Sequence, residues 1–179
     1  MAKFQMGVLP THPPVTARLG SAATAEGRLV DEDLYKLVKL GGDSRYALCT
    51  AGDAIEGQMV ALESATQDGY AIGSVKTTGQ INAICDGSQA AGTGTIAVGD
   101  FVVCGTVTAA GTALSNAATV PAPKVRKATE QPGSAIAGTF NAANVGISIK
   151  NSMFAWRVIA IGDDGSVGDT CVIERVNDI

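Results

Sequence analysis

Aromatic side chains are scarce in this chain, and histidine is nearly absent. Phe, Tyr and Trp make up 4% of 179 residues and there is one histidine, His12, although apolar residues reach 46%. Ala, Val, Ile and Leu must therefore fill the core, and small or branched side chains suit closely packed sheets. Charge is also sparse, at 17% of residues, with 13 basic and 17 acidic side chains giving a net charge of −4. That balance disfavours nucleic acid and anionic membrane surfaces as partners, since both select concentrated Lys and Arg. The only dense basic cluster is Lys124, Arg126 and Lys127, which has no interleaved aromatics and reads as a solvated loop.

Long apolar runs are missing too. Nothing approaches the ~18 residues of a membrane-spanning helix. The opening "MAKFQMGVLPTHPP" has no continuous apolar stretch and is cut by proline, so it does not read as a secretory signal. The expectation is a protein made in a cytosol and soluble there. Cys49, Cys85, Cys104 and Cys171 contain no CxxC pair. His12 cannot complete a familiar zinc ligand set near them. An even count permits two disulfides, but each cysteine sits in an apolar, strand-like run and reads as a buried free thiol. A chain of this length can bury a core without disulfides or metal.

The same scarcity limits chemistry. A serine triad or an activated cysteine needs a histidine base, and His12 lies in "THPP". No GxSxG elbow occurs. Asp31, Glu32 and Asp33 read as a polar, solvated turn where nothing raises a carboxyl pKa. "GTGTIAVGD", Gly92 to Asp100, lacks the GK[ST] ending of a phosphate loop and no helix pattern follows it. The aspartates between Gly162 and Asp169 miss the register of a calcium loop, and Asp164-Gly165 reads instead as a hairpin turn. No catalytic residue, metal or cofactor is expected.

Glycine is abundant, with 22 residues, which favours many tight turns over long helices. One dipeptide recurs: Gly52-Asp53, Gly99-Asp100 and Gly168-Asp169 each precede an apolar run. Glycine takes positive φ without steric cost and aspartate bonds backbone amides two residues on, so the pair reads as turn chemistry. The unequal spacings exclude a solenoid.

Residues 1–28 read as an extended N-terminal arm, because Pro10, Pro13 and Pro14 remove amide donors and impose extended backbone. The arm nevertheless carries Phe4, Met6, Val8, Leu9 and Val15. Those side chains would be buried along the chain's own domain or along a neighbouring subunit, so the arm is the candidate interface. Residues 29–179 read as one β-domain. "RLVDEDLYKLVKLGGD" has helical spacing, but a single turn over Asp31–Tyr35 feeding a strand at Lys36–Leu40 fits the surrounding β pattern better.

Further strands are expected at 46–50, 58–63, 71–76, 80–85 and 101–107. "TTG", Thr77 to Gly79, reads as a hairpin loop joining two of them, and "AAGT" as a turn. Ser115 to Ser134 reads as a low-complexity surface loop, and 115–151 as a long loop or minor subdomain; "VGISIK" within it alternates like a strand. The C-terminal hairpin runs from Phe154 to Ile161, turns through "GDDGSVGD" and returns as "TCVIERV". Phe154, Trp156, Val158 and Ala160 share one face. Many short strands between turn signals predict a mainly β fold, a compact antiparallel barrel or sandwich with little helix.

The order "AGDAIEG…VAL", "GYAIGSV…GQINAICDG", "VGDFVVCG…AAGTAL", "WRVIAIGDDGSVGDTCVIERV" resembles the capsid decoration (cement) proteins of tailed bacteriophages. The likeness covers roughly Leu29 to Val176, with a diverged stretch from Ser115 to Asn151, and excludes the arm. It implies a β-tulip-like barrel on the outer capsid surface, made in the host cytoplasm and commonly trimeric. Such a protein clamps neighbouring major capsid protein subunits and has no enzymatic activity, no membrane association and no direct nucleic-acid contact. Readings that remain beside it are another phage part, such as a head-fibre base or tail component, and a cytosolic small-ligand β-barrel or enzyme.

Overall fold

A computed structural model describes residues 15–20, 29–41, 45–64, 71–88, 91–114, 121–128 and 156–176. Among them the fold is mainly β, with a single 3-10 turn at Asp31–Asp33 as the only helical element. The strands divide into two closed five-stranded barrels. The first holds β1 (Val15–Leu19), β2 (Leu37–Leu40), β3 (Tyr46–Leu48), β4 (Gly57–Glu63) and β5 (Ala71–Lys76), in the order β1-β3-β2-β4-β5. The second holds β6 (Gln80–Cys85), β7 (Phe101–Cys104), β8 (Lys124–Lys127), β9 (Trp156–Ile161) and β10 (Thr170–Arg175), in the order β10-β6-β8-β7-β9. Closure leaves neither sheet with a long free edge.

The barrels follow one plan. In each, the first and third strands pair in parallel and every other pairing is antiparallel. The register coincides as well. Leu37 opposes Gln58 as Phe101 opposes Arg157, and Val38 opposes Gly57 as Val102 opposes Trp156. Leu40 opposes Tyr46 as Cys104 opposes Val125, and Met59 opposes Val75 as Val158 opposes Ile173. Connecting bonds repeat too: Tyr35 N–H reaches the Met59 carbonyl and Met59 N–H the Lys36 carbonyl, as Gly99 reaches Val158 and Val158 reaches Asp100. The chain is thus a tandem repeat of one barrel. Val15 and Ile81 lie closer in sequence than Met59 and Val158, so no fixed period exposes the repeat.

Corresponding strands share a local irregularity. Across β4 and β5, Met59 opposes Val75 but Ala61 opposes Ser74, leaving Val60 as an extra residue. Across β9 and β10, Val158 opposes Ile173 but Ala160 opposes Val172, leaving Ile159 extra. A one-residue bulge shifts alternation onto the other face. Leu62 and Ile161 therefore turn inward and pack on their cores, while Ala61 and Ala160 face out. This corrects the expectation that Trp156, Val158 and Ala160 share a face: the first two are fully buried and Ala160 is exposed. Phe154 lies outside the described residues.

Three other expectations change. β5 and β6 do not pair: β5 pairs with β1 and β4, and β6 with β10 and β8. "TTG" is the link between barrels. Gly79 does have positive φ, but Ala71 and Val75 fit one core while Ile81, Ala83 and Cys85 fit the other, and burial draws the strands apart. The basic cluster is not a solvated loop but β8, whose Val125 is fully buried; Lys124 reaches toward Asp86 and Lys127 pairs with Asp100 at 2.7 Å. Long basic stems cover apolar surface while their heads stay near water, so few apolar letters suffice for a strand. Lastly, Val15–Leu19, expected within the arm, forms β1, with Val15 paired to Val75 along the backbone and Leu19 buried.

The core crosses the repeat boundary. Leu37, Cys49 and Ile55 from the first half pack with Trp156, Val158, Ile173 and other residues of the second barrel. A smaller cluster of Leu19, Leu29, Val38, Met59, Ala71 and Val75 fills the first. Cys104 N–H donates to the Asp53 carbonyl at 3.0 Å and its carbonyl accepts from Gly52 at 2.8 Å, tying β7 to the first half. Arg175 adds bonds to the carbonyls of Thr77 at 2.7 Å and Glu56 at 3.4 Å.

Candidate functional site

The recurring Gly-Asp pairs are the first candidates, and each forms the same turn. The N–H groups of Asp53, Asp100 and Asp169 donate to the carbonyls of Thr50, Ala97 and Ser166, three residues back. Gly52, Gly99 and Gly168 hold φ of 90°, 95° and 96°. A β-turn with positive φ at its third position admits glycine readily and other residues only under strain. The carboxylates of Asp53 and Asp100 then accept the Thr50 and Ala97 amides at 2.6 and 2.9 Å, closing each turn from the side-chain side. These bonds run three residues back rather than two residues on. Asp164 does show the anticipated form, accepting the Ser166 amide at 2.8 Å.

The Asp53 and Asp100 carboxylates are thereby committed to their own turns and to Lys39 and Lys127, while that of Asp169 accepts the Asp163 and Gly165 amides of the preceding turn. Burial alone would raise the Asp53 carboxyl, but the Lys39 ammonium and the Thr50 hydroxyl and amide outweigh that and hold it below its ordinary range. The amides of Asp163 and Gly165, with that of Thr170, lower the Asp169 carboxyl. Bonds that favour the charged form act in this direction, opposite to what a general acid needs. Among the described residues no three His, Cys, Asp or Glu side chains gather as metal ligands.

The acidic turn at 31–33 differs from its expectation. Asp31 and Glu32 are exposed, but Asp33 is fully buried. It pairs with buried Lys36 at 2.6 Å and also accepts from Gly111 N–H at 2.8 Å and Val30 N–H at 3.0 Å. Lys36 in turn donates to the Ala109 carbonyl at 2.7 Å. Asp86, also buried, accepts from the Thr106 amide and hydroxyl at 2.6 and 2.8 Å. Both carboxylates fix the segment following β7, and "AAGT" forms its expected turn there, with Thr112 N–H on the Ala109 carbonyl. The Asp33–Lys36 pair thus joins the first barrel to this segment, whereas Asp86 holds it from within the second. No sequence signal marks Asp33 for burial, because its cover arrives from far along the chain.

Of the interface residues expected in the arm, Phe4, Met6, Val8, Leu9, Pro10, Pro13 and Pro14 lie outside the described residues, as does His12. Val15 opens β1. Large apolar side chains stand exposed elsewhere: Leu40 at 63%, Val98 at 58%, Tyr35, Val167, Val107 and Ile72. Val98 and Val167 occupy the tips of two Gly-Asp turns, beside Gly99 and Gly168. All four cysteines are buried with free thiols. No described helix is long and apolar enough to cross a membrane. No family model, curated protein or solved structure matches the chain.

Proposed function

We propose that the chain is a non-enzymatic virion protein that binds the outer surface of a phage capsid and cements neighbouring major capsid protein subunits. The observation that carries this reading is the order in which Gly-Asp turns and alternating strands recur, the order that resembles decoration proteins. Two features of the fold support it. Closed barrels tied together by a shared core resist local opening, as a clamp on a pressurised shell requires. Exposed valines at rigid turn tips offer apolar contact without an ordering cost. Many copies on one shell multiply a modest interface, and a trimer would multiply it again.

The test is co-sedimentation of purified protein with emptied heads of the encoding phage. Saturable binding at a fixed ratio to the major capsid protein is expected; protein that stays in the supernatant at every concentration overturns the reading. A second arm addresses the N-terminal segment. Removing residues 1–14 spares β1, so the truncated chain should keep its melting temperature and bind heads at least tenfold more weakly, a loss of about 1.4 kcal/mol.

A further inference from the structure

We propose that Cys49 and Cys104 form a thiol pair which a small-molecule disulfide converts to an intramolecular disulfide, locking the first barrel's 49–55 loop onto β7 of the second. The two residues come from different repeats and meet at the junction. Cys104 is held by both backbone bonds to Gly52 and Asp53, and the Cys49 thiol faces the Ala54 carbonyl at 4.0 Å. Both residues belong to one buried core cluster and line one small cleft with Leu37, Leu48, Thr106 and Pro123. Both thiols are buried, so a reagent reaches them when the 49–55 loop opens locally.

The pair is not inherited from the barrel plan. By register, the counterpart of Cys104 in the first barrel is Leu40, which is exposed, and the counterpart of Cys49 in the second is Ala128. Thiols therefore stand where the repeats touch and at neither corresponding place. Cys85 and Cys171 also share a core cluster, but within the second barrel, where Cys85 is bonded to Asp169 along the backbone and Cys171 opposes Ala83 on adjacent strands. A bridge there would join strands already paired and constrain nothing new.

The exchange proceeds in two steps. One thiolate of the pair attacks a sulfur of the small disulfide, whose S–S bond breaks and whose other half leaves as a thiolate that takes up a proton. The second thiolate then attacks the protein sulfur of this mixed disulfide and expels the remaining half. Two protein thiols lose two protons and two electrons; the small disulfide becomes two thiols. Hydrogen bonding to Cys104, followed by burial, pushes the Cys49 thiol well above its ordinary range, so the reaction is slow in the closed fold.

The folded, full-length protein is incubated with oxidised glutathione or with reductant, then mapped by mass spectrometry without reduction. A peptide linking Cys49 to Cys104 is expected, with a melting temperature about 5–10 °C above the reduced form. Cys104→Ala and, separately, Cys49→Ala should abolish both the linked peptide and the shift, whereas Cys85→Ala should retain them. Glutathione adducts without the 49–104 link, a link between Cys85 and Cys171 alone, or a linked protein that melts no higher would overturn the proposal.

Discussion

A single side chain shows how the two barrels test one another. Tyr35 has φ of +67° and is the one described non-glycine residue with positive φ; its counterpart in the second barrel is Gly99. The repeat thus poses the same backbone question twice and answers it with different residues. Positive φ costs an L-residue on the order of 1–2 kcal/mol. A Cβ at Gly99 would meet nothing within 4 Å, so Gly99→Ala isolates the backbone term. Gly99→Ala is expected to destabilise by about 1 kcal/mol and Tyr35→Gly to be neutral or stabilising. Urea denaturation followed by Trp156 fluorescence measures both; equal losses in the two variants would contradict the assignment.

Asp33 and Lys36 argue from burial. Removing one charge leaves the other desolvated and unpaired, so Asp33→Asn should cost about 3–5 kcal/mol; Asp33→Leu with Lys36→Met should recover only part of it, because the Val30 and Gly111 amides lose their acceptor. The same denaturation assay gives both values. Asp53 and Asp169 argue from pH. Their folded pKa values lie below the unfolded ones, so the stability they contribute is present above about pH 4 and is lost as pH falls through the folded values. Urea midpoints from pH 6 downward should hold steady and then drop in the acid range, and Asp53→Asn should shallow that drop. The turns were legible because Gly-Asp is a local signal. Asp33 was not, since the Gly111 amide that covers it comes from 78 residues away.

Strands were legible where side chains alternate. β5 and β6 fall on their expected residues, because a period of two is read within one element; the turn-plus-strand reading of Asp31–Leu40 holds on its β surroundings instead, since adjacent Leu37 and Val38 are both buried. What pairs with what is a different matter. Thr77 to Gly79 has the letters of a hairpin, yet the strands beside it serve separate cores, a choice made by packing. β8 escaped notice because only Val125 in "KVRK" is apolar. The bulges are the least legible and carry the sharpest consequence at this scale. Deleting Ile159 would leave Val158 opposite Ile173, Ala160 opposite Val172 and Ile161 opposite Cys171, so the flanking side chains keep their faces without the extra residue. A loss under ~1.5 kcal/mol is therefore expected, similar to that of Ile159→Ala. Thermal melts of the two variants decide it: a deletion that costs ~3 kcal/mol or more would mean that the extra residue does not simply bulge out of the ladder.

The whole molecule is two repeats with one purpose-built junction. Leu37, Cys49 and Ile55 belong by sequence to the first barrel and by packing to the second, so neither half should fold alone. The chain supplies its own probes: its three tyrosines, Tyr35, Tyr46 and Tyr70, lie in the first half and its one tryptophan in the second. Tyrosine absorbance and Trp156 fluorescence should report coincident urea transitions; separated midpoints would mean that the shared core does not couple the barrels. Such coupling suits a clamp, which must transmit load from one contact to another without opening.

Cementing, rather than mere attachment, is the claim that matters most, and it has a direct readout. Emptied heads are heated alone and with increasing amounts of the purified protein, and release of major capsid protein subunits is followed by light scattering. The disassembly temperature is expected to rise with added protein and to level off when the binding sites are full. Heads that come apart at the same temperature with sites fully occupied would contradict it.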